Sequence, residues 1–429
     1  MLTTERLSEP TEHVISDREP WFVAGLLIAS APALHTLATW DVDGRLSSQA
    51  FAVRHYSYVI MLIELLVIWL AARNQLSIAK AISALPSSIS VLLGAWFAFA
   101  VAALFSSISD LANAILILAR YIIHGFFLIA VIHLIAAAKS FEMQRLLVIF
   151  VIGTVTYILL LTIFSILVRD PAKFAWVLQL PSATNVRQIG NNVGILMIAP
   201  VALLLSKRSP LYLPYAVAFI IALSFVVWTG SRATLLGFAL GVAAGLVTVK
   251  NFTAIRNIVI TAIAALVATG ASLFIPIPDP AFGLFRLVAA NGEQDASSGR
   301  WEMWAQAWHH VLQSPLIGHG SGRYRMDMNS FYGTYWNHPH NFILQYFYDW
   351  GFLGGSIALL LLALMGIKIF LSRDAAPIVR FTAITAYVAI CSMAMIDGPL
   401  FHPLPIAVAL ALIAPVFVHP ERMSNAPKI

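Results

Sequence analysis

Two histidines flank a proline in the segment His338-Pro339-His340-Asn341, directly before a long apolar run. A residue before proline favours an extended backbone, and proline is well placed in the first turn of a helix. We therefore expect His338 to close a loop, Pro339 to occupy the first helical position and His340 to open the helix. An imidazole has an ordinary pKa of about 6.5. This suits His340, with His338 as the second candidate, to act as a general base.

Two other interpretations of the histidine pair stay open. Zinc binding is one, although no Asp, Glu or Cys stands beside the pair at ligand spacing. A capping or packing role is the other. Gly351 lies eleven residues beyond His340, close to three helical turns, so we expect both on one face of the helix. Asp41-Val42-Asp43 could bind a divalent cation, but such a motif more often forms a solvated acidic turn.

Arginine is the main basic residue in the segments that could meet an anionic substrate. A guanidinium binds phosphate with two parallel hydrogen bonds, which the ammonium of lysine cannot do. One arginine at a membrane boundary is most often a lipid contact. Several arginines that converge from separate segments would form an anion site. The candidates are Arg187, Arg232, Arg286, Arg300 and Arg323.

The elements that position these residues are membrane spans. Hydrophobic residues make up 60% of the 429 residues and charged residues only 11%, which excludes a soluble or disordered chain. Apolar runs near the length of about 20 residues that crosses a bilayer predict an all-α polytopic membrane protein with about 12 transmembrane helices. The runs are roughly 21–40, 56–72, 86–106, 111–138, 145–168, 191–206, 211–229, 232–249, 258–275, 341–371, 378–396 and 403–419.

Charge predicts how the spans are oriented. Twelve spans that start inside give short inner turns rich in Lys and Arg, such as those holding Lys139 and Arg145, so both termini are expected in the cytoplasm. Two longer segments, 169–190 and 276–339, then lie outside. Cys391 is the only cysteine, so no internal disulfide can form. Nothing in the charge pattern favours binding to nucleic acid.

We divide the chain into three parts. Residues 1–275 hold nine spans, short loops and the outer segment 169–190, residues 276–339 form one long outer loop, and residues 340–429 hold three spans and an inner tail. The pattern 300–313 in the loop predicts an amphipathic helix rich in tryptophan. Its residues Trp301, Trp304, Trp308 and Val311 recur at three- and four-residue spacing and are expected to share one face.

A few polar groups are expected inside the spans. Arg120 and His124 are one helical turn apart in the fourth predicted span, and no acidic partner for them can be identified from the sequence. A buried cation usually has a functional or paired role. With Glu64 and His133, they are the only obvious deep polar groups. Together with the lack of an internal repeat, this weighs against a transporter built of two similar halves.

Several motifs resemble the O-antigen ligase and polymerase family of bacterial envelope glycosyltransferases, over roughly 187–355. The most specific is His340-Asn341, with nine residues between Asn341 and Gly351-Phe352-Leu353-Gly354, which is similar to the catalytic-histidine signature of the family. The others are Thr229-Gly230-Ser231-Arg232 and the stretch from Gly299-Arg300-Trp301 to Gly318-His319-Gly320.

The resemblance implies a fold like that of the type C glycosyltransferases, in the bacterial inner membrane with the active site facing the periplasm. It implies a donor of undecaprenyl diphosphate carrying a polysaccharide, a lipid A-core acceptor and contacts with membrane lipids. His340 takes the place of the family's catalytic histidine, with His338 second. Arg187, Arg232 and Arg300 take the places of its phosphate-binding arginines. Because arginines can hold a diphosphate, no metal or cofactor is expected.

O-antigen ligation by inverting displacement is thus our first expectation. An O-antigen or exopolysaccharide polymerase would use a similar donor site and is the nearest alternative. A protein O-oligosaccharyltransferase is the third. Outside the enzymes, a flippase or transporter of lipid-linked oligosaccharides remains open on the number of spans alone.

Overall fold

The computed structural model describes residues 19–43, 57–83, 85–207, 212–284, 299–332 and 337–418. Within these residues every regular element is helical. The helices are α1 (Pro20–Ala38), α2 (Tyr58–Arg73), α3 (Ile78–Ser83), α4 (Ser87–Leu104), α5 (Leu111–Ala136), α6 (Met143–Leu167), α7 (Trp176–Gln179), α8 (Val186–Leu196), α9 (Ile198–Leu205), α10 (Tyr212–Trp228), α11 (Arg232–Thr248), α12 (Ile255–Ser272), α13 (Arg300–Gln313), α14 (Tyr324–Tyr332), α15 (Phe342–Leu371), α16 (Pro377–Ala394) and α17 (Pro403–Ile413). Two 3₁₀ helices, Phe105–Asp110 and Ala414–Phe417, follow α4 and α17.

The expectation of an all-α polytopic membrane protein is confirmed. Among the described residues, eight helices are long and apolar enough to cross a membrane, and shorter apolar helices lie beside them. The count of twelve spans stays a prediction. The eight are Pro20–Ala38, Ser87–Ser107, Leu111–Ala136, Met143–Leu167, Val186–Leu205, Ile255–Ser272, Phe342–Leu371 and Pro377–Ala394.

The span formed by α8 and α9 is the centre of the bundle, because it is buried along its whole length. It begins at Val186, five residues before the predicted edge at 191, so Arg187 lies in its first turn and not in the loop before it. The amide side chains of Asn191 and Asn192 are both buried in this helix. Buried amides need hydrogen-bond partners, so these two indicate a polar site within the apolar bundle.

Helix α11 packs closely along α16 through glycines spaced four residues apart. A Cβ placed on Gly241 would come within 2.5 Å of the carbonyl oxygen of Thr385, and one on Gly237 within 2.5 Å of Met393 Cγ. Small residues at this spacing let two helix backbones approach closely in a membrane. The packing holds the start of α11, with Arg232, beside the end of α16, and so brings together two chain segments that are far apart in sequence.

Helix α15 is broken at Gly351, where φ is 64° and ψ is −175°. The expectation that Gly351 and His340 share a helical face is wrong, because α15 begins at Phe342, after His340, and Gly351 itself has a non-helical backbone. The segment 315–320 packs into the gap: the His319 and Gly320 amides donate to the carbonyls of Tyr348 and Asp349, at 2.8 and 3.0 Å. Backbone groups released by the break thus find partners in the loop.

The amphipathic helix predicted over 300–313 forms as α13, with the predicted bounds. Met303, Ala307 and Val311 are buried, whereas Trp301 is 65% and Trp308 is 42% exposed. The tryptophan stripe therefore borders the buried face instead of forming it. Of the four residues expected to share a face, only Val311 is also buried.

Arg120 and His124, inside the fourth predicted span, both have partners that could not be identified from the sequence. His124 Nδ1 lies 2.7 Å from a carboxylate oxygen of Glu64, which is fully buried on α2. Arg120 donates to the carbonyl of Phe401, at 3.2 Å. Both partners come from other helices or loops, which explains why spacing along α5 could not reveal them.

Candidate active site

His340 lies in a tight turn just before α15. Asn341 is the N-cap of that helix, and its side-chain oxygen accepts hydrogen bonds from the amides of Ile343 and Leu344, both at 3.1 Å. The helix therefore starts at Phe342, and the expectation that Pro339 occupies its first position is wrong. His340 has a φ of 53°, in the left-handed region that a residue with a side chain seldom adopts. Such strain persists where surrounding contacts hold it, often at functional sites.

The His340 side chain pairs with a carboxylate that follows α16. Its Nδ1 lies 3.0 Å from an oxygen of Asp397, which is only 7% exposed. The same oxygen accepts a hydrogen bond from the Gly398 amide at 2.9 Å. A carboxylate that accepts from Nδ1–H leaves the lone pair of a neutral imidazole on Nε2. This arrangement suits His340 to take up a proton through Nε2.

A chain of buried polar side chains holds the second oxygen of Asp397. Asn191 donates its amide to that oxygen at 3.0 Å. The Asn191 carbonyl in turn accepts from the Thr234 hydroxyl at 2.7 Å, and Thr234 lies 2.7 Å from the Ser231 hydroxyl. These residues come from α8, from α11 and from the turn before it. The chain therefore fixes Asp397 from the centre of the bundle.

The charge on Asp397 is stabilised by the groups around it. Burial alone would raise the pKa of Asp397, but His340, Arg300 and the hydrogen bond from Asn191 together hold it well below its usual range. Asp397 is therefore an anion at neutral pH. An anion at this distance stabilises the imidazolium that forms when His340 accepts a proton.

Three of the predicted arginines converge on the same place. The Arg187 guanidinium interacts electrostatically with Asp397, Arg300 and Arg232. Burial lowers the pKa of Arg300, the Asp397 carboxylate partly opposes that shift, and the charge of Arg232 adds to it. These cations come from the first turns of α8, α11 and α13. Like charges held together while half-buried form a site for an anionic ligand.

His338 supports the turn that carries His340. Its Nδ1 accepts a hydrogen bond from the His340 backbone amide at 3.1 Å, and its ring centroid lies 4.7 Å from that of Phe401. A Cβ on Gly398 would overlap the His338 ring, so these two segments are in close contact. The hydrogen bond and the packing suit His338 to position His340.

The long outer loop is joined to the histidine turn by α13. The Trp304 indole donates to the carbonyl of Pro339, between the two histidines, at 2.8 Å. Beside the turn lies a cleft of about 260 Å³. It is lined by Tyr121, His338, Asn341, Phe342, Gln345, Tyr346, Ala394, Asp397, Gly398, Leu400 and Phe401.

The other predicted site residues lie elsewhere. Arg323 pairs with Asp327 at 3.0 Å and donates to the carbonyl of Ser106 at 3.2 Å, two structural contacts away from His340. Arg286 falls outside the described residues. Of the Asp41-Val42-Asp43 motif, Asp43 forms an ion pair with the exposed Arg169.

Residues 217–359 match the family model described as O-Antigen ligase. The chain carries an O-antigen ligase family domain. This confirms the resemblance and supports a function of the ligase or polymerase type, in a family whose members are glycosyltransferase-like enzymes of the bacterial inner membrane. The family implies a lipid-linked glycan and a lipid acceptor as partners. No curated protein matches the chain.

The matched stretch contains Arg232, Arg300 and His340, whereas Arg187 and Asp397 lie outside it. The fold brings all five together, so the site extends beyond the family domain. Sequence reasoning missed Asp397. Its signal was a lone acidic residue just past the predicted outer end of an apolar span, followed by Gly398. Among the described residues, no three His, Cys, Asp or Glu side chains are grouped to hold a metal ion.

Proposed function

We propose that this chain is an O-antigen ligase, which transfers a polysaccharide from undecaprenyl diphosphate to a sugar hydroxyl of lipid A-core. The observation that carries the proposal is the pairing of His340 with the buried Asp397, beside three converging arginines. A base and an anion site are the two things that displacement of a diphosphate by a hydroxyl requires. The pairing supplies the first, and the arginines supply the second.

Arg187, Arg232 and Arg300 hold the diphosphate of the donor. A diphosphate leaves readily once its negative charge is neutralised, so the leaving group needs no general acid. Guanidinium groups provide this neutralisation through bidentate hydrogen bonds that are fixed before the reaction. Because three arginines supply the positive charge, the reaction proceeds without a divalent cation.

His340 activates the acceptor. As Nε2 takes the hydroxyl proton, the acceptor oxygen bonds to the anomeric carbon of the donor. The bond from that carbon to the diphosphate oxygen breaks, and its electron pair leaves with the diphosphate. Asp397 stabilises the resulting imidazolium through Nδ1–H. A single displacement of this kind inverts the anomeric configuration.

In the cell, the active site faces the periplasm and both termini lie in the cytoplasm. Helix α13 of the outer loop lies beside the histidine turn on the outer side, and membrane lipids surround the exposed apolar faces of the spans. The exposed Trp301 and Trp308 on α13 suit contact with lipid headgroups at the boundary that tryptophan prefers.

Deletion of the gene tests the proposal against the polymerase. We expect lipid A-core without attached O-antigen, while long glycan accumulates on the undecaprenyl carrier. Complementation with wild-type protein should restore the attached glycan, and complementation with His340→Ala should not. Lipid A-core capped with a single repeat unit in the deletion strain would instead identify a polymerase.

A further inference from the structure

A second cleft lies on another side of Phe401 from the histidine cleft. Its polar lining comes from α5, α14 and the segment before His338. It is lined by Asn113, Ile117, Arg120, Gly322, Arg325, Asn337 and Phe401. None of the three donor-site arginines lines this cleft. The donor site therefore does not explain why arginines and asparagines line this cleft.

The lining combines three kinds of group that bind a phosphorylated sugar. Arg120 and Arg325 supply guanidinium groups, which suit a phosphate. Asn113 and Asn337 supply carboxamides, which can donate to and accept from hydroxyl groups. Asn113, Ile117 and Arg120 are four and three residues apart on α5, so they project from one face of that helix. Phe401 adds an aromatic ring, which can cover an apolar sugar face.

Two carboxylates interact with side chains that line this cleft but do not line it themselves. Asp110 accepts from the Asn113 amide at 3.1 Å, and Asp349 accepts from Gln345 at 2.8 Å while it also attracts Arg120. Neither carboxylate is among the described residues that line the cleft. Such an arrangement orients the donors and leaves the lining itself suited to an anion.

Phe401 connects this cleft to the histidine turn. The Arg120 guanidinium lies 5.1 Å from the Phe401 ring centroid and donates to the Phe401 carbonyl at 3.2 Å. The Phe401 ring contacts the His338 ring at 4.7 Å, and the His338 ring lies 4.3 Å from that of His340. Phe401 lines both clefts. The rings of Phe401 and His338 therefore link this cleft to His340.

We propose that Arg120, Arg325, Asn113 and Asn337 form the acceptor subsite, which binds a phosphate-bearing sugar of the acceptor glycolipid. This inference rests on the proposed function, because it assigns the second substrate of that same site. The donor diphosphate occupies the arginines beside Asp397, and the acceptor phosphate is held on the other side of Phe401. The two anionic substrates thus bind to separate sets of arginines.

Binding of acceptor to the full chain in nanodiscs, without donor, tests the subsite. The probes are lipid A-core and the same lipid after chemical removal of its phosphates. We expect wild type to bind the phosphorylated probe about tenfold or more tightly than the dephosphorylated one, and Arg325→Gln to abolish this preference. Arg256→Gln is the matched control, because it removes an arginine that donates to Tyr212 away from both clefts.

Three results would overturn the subsite. Arg325→Gln could leave the preference for the phosphorylated probe intact, or it could weaken both probes equally, as a change in packing would. Alternatively, Arg325→Gln could weaken binding of undecaprenyl phosphate or phosphatidylglycerol while acceptor binding stays unchanged, which would assign the arginine to the carrier or to a membrane lipid. Asn337→Ala gives a second variant, for which we expect weaker binding of both acceptor probes and unchanged donor KM.

Transfer assays separate the failure of this subsite from the failure of the proposed function. Phosphate-dependent acceptor binding without any glycan transfer by wild type would count against ligation while the subsite stands. Transfer by wild type with no dependence of acceptor binding on phosphate would count against the subsite alone. In the transfer assay, Arg325→Gln should raise the KM for acceptor about tenfold and leave the KM for donor unchanged.

Discussion

Replacement of Asp397 by asparagine removes one charge from the candidate active site and keeps the size of the side chain. In the native protein, the two carboxylate oxygens accept hydrogen bonds from His340, Gly398 and Asn191. An amide at this position has a single acceptor oxygen, so its NH₂ group must face one of these donors. If it faces His340, the imidazole is driven to the tautomer that carries its proton on Nε2, where it cannot act as the base. If it turns away, His340 still loses the negative charge that stabilises its protonated form.

Either orientation of the new amide is expected to lower kcat. General-base catalysis contributes about 10²- to 10⁴-fold to a rate. Loss of the aspartate charge beside the catalytic histidine of a serine protease lowers kcat by about 10⁴. We therefore expect Asp397→Asn to lower kcat by about 10²- to 10⁴-fold, which is about 3–5 kcal/mol of activation free energy at 1.36 kcal/mol per decade. The KM for donor should not rise, because the removed charge is one that attracts Arg187 and Arg300 away from the diphosphate.

The assay is glycan transfer by purified protein at saturating donor and acceptor. Asp43→Asn is the matched control, since it breaks the surface pair with Arg169 and should change kcat by less than about twofold. Elution as a single folded species in size-exclusion chromatography excludes simple unfolding. An Asp397→Asn enzyme within about fivefold of the wild-type kcat would refute the His340–Asp397 base, because base loss costs far more.

Further changes probe the same account. His340→Gln should lower kcat by about 10²-fold or more and His338→Gln by less, and the reverse order would move the base to His338. Arg300→Lys should raise donor KM about tenfold and Arg323→Lys hardly at all, because only the first loses a bidentate phosphate contact; equal effects would remove Arg300 from the donor site. Gly351→Ala should lower the thermal midpoint, because the new Cβ would lie 2.5 Å from the Leu316 carbonyl; an unchanged midpoint would contradict the packing of the α15 break. Transfer should persist in excess chelator, and loss of activity that Mg²⁺ restores would contradict diphosphate binding by arginines alone.

Features that depend on local sequence could be predicted. Apolar runs predicted the all-α membrane fold, and α13 begins and ends where the spacing of its apolar residues placed it. Arg187, Arg232 and Arg300 could be proposed together because of the family resemblance, whereas their position beside predicted spans and in the outer loop left them among five candidate arginines. The structure then places all three beside Asp397.

Features that depend on contacts between residues far apart in the sequence could not be predicted. Asp397 is 57 residues from His340 and 206 from Asn191, so only the tertiary fold brings these groups together. The break at Gly351 depends on a loop segment that supplies backbone donors and on a positive φ that spacing does not reveal. Which face of α13 is buried also depends on distant contacts, because Met303, Ala307 and Val311 form a buried cluster with Tyr348 of α15.

Transfer of the glycan to lipid A-core with inversion is tested most directly by the products of a reaction with purified protein. Undecaprenyl diphosphate carrying a glycan of known anomeric configuration is supplied together with lipid A-core, and both lipid products are analysed. We expect glycan joined to lipid A-core with inverted configuration, and one undecaprenyl diphosphate released for each glycan transferred. Longer glycan on the undecaprenyl carrier with lipid A-core unchanged, or a product with retained configuration, would contradict this expectation.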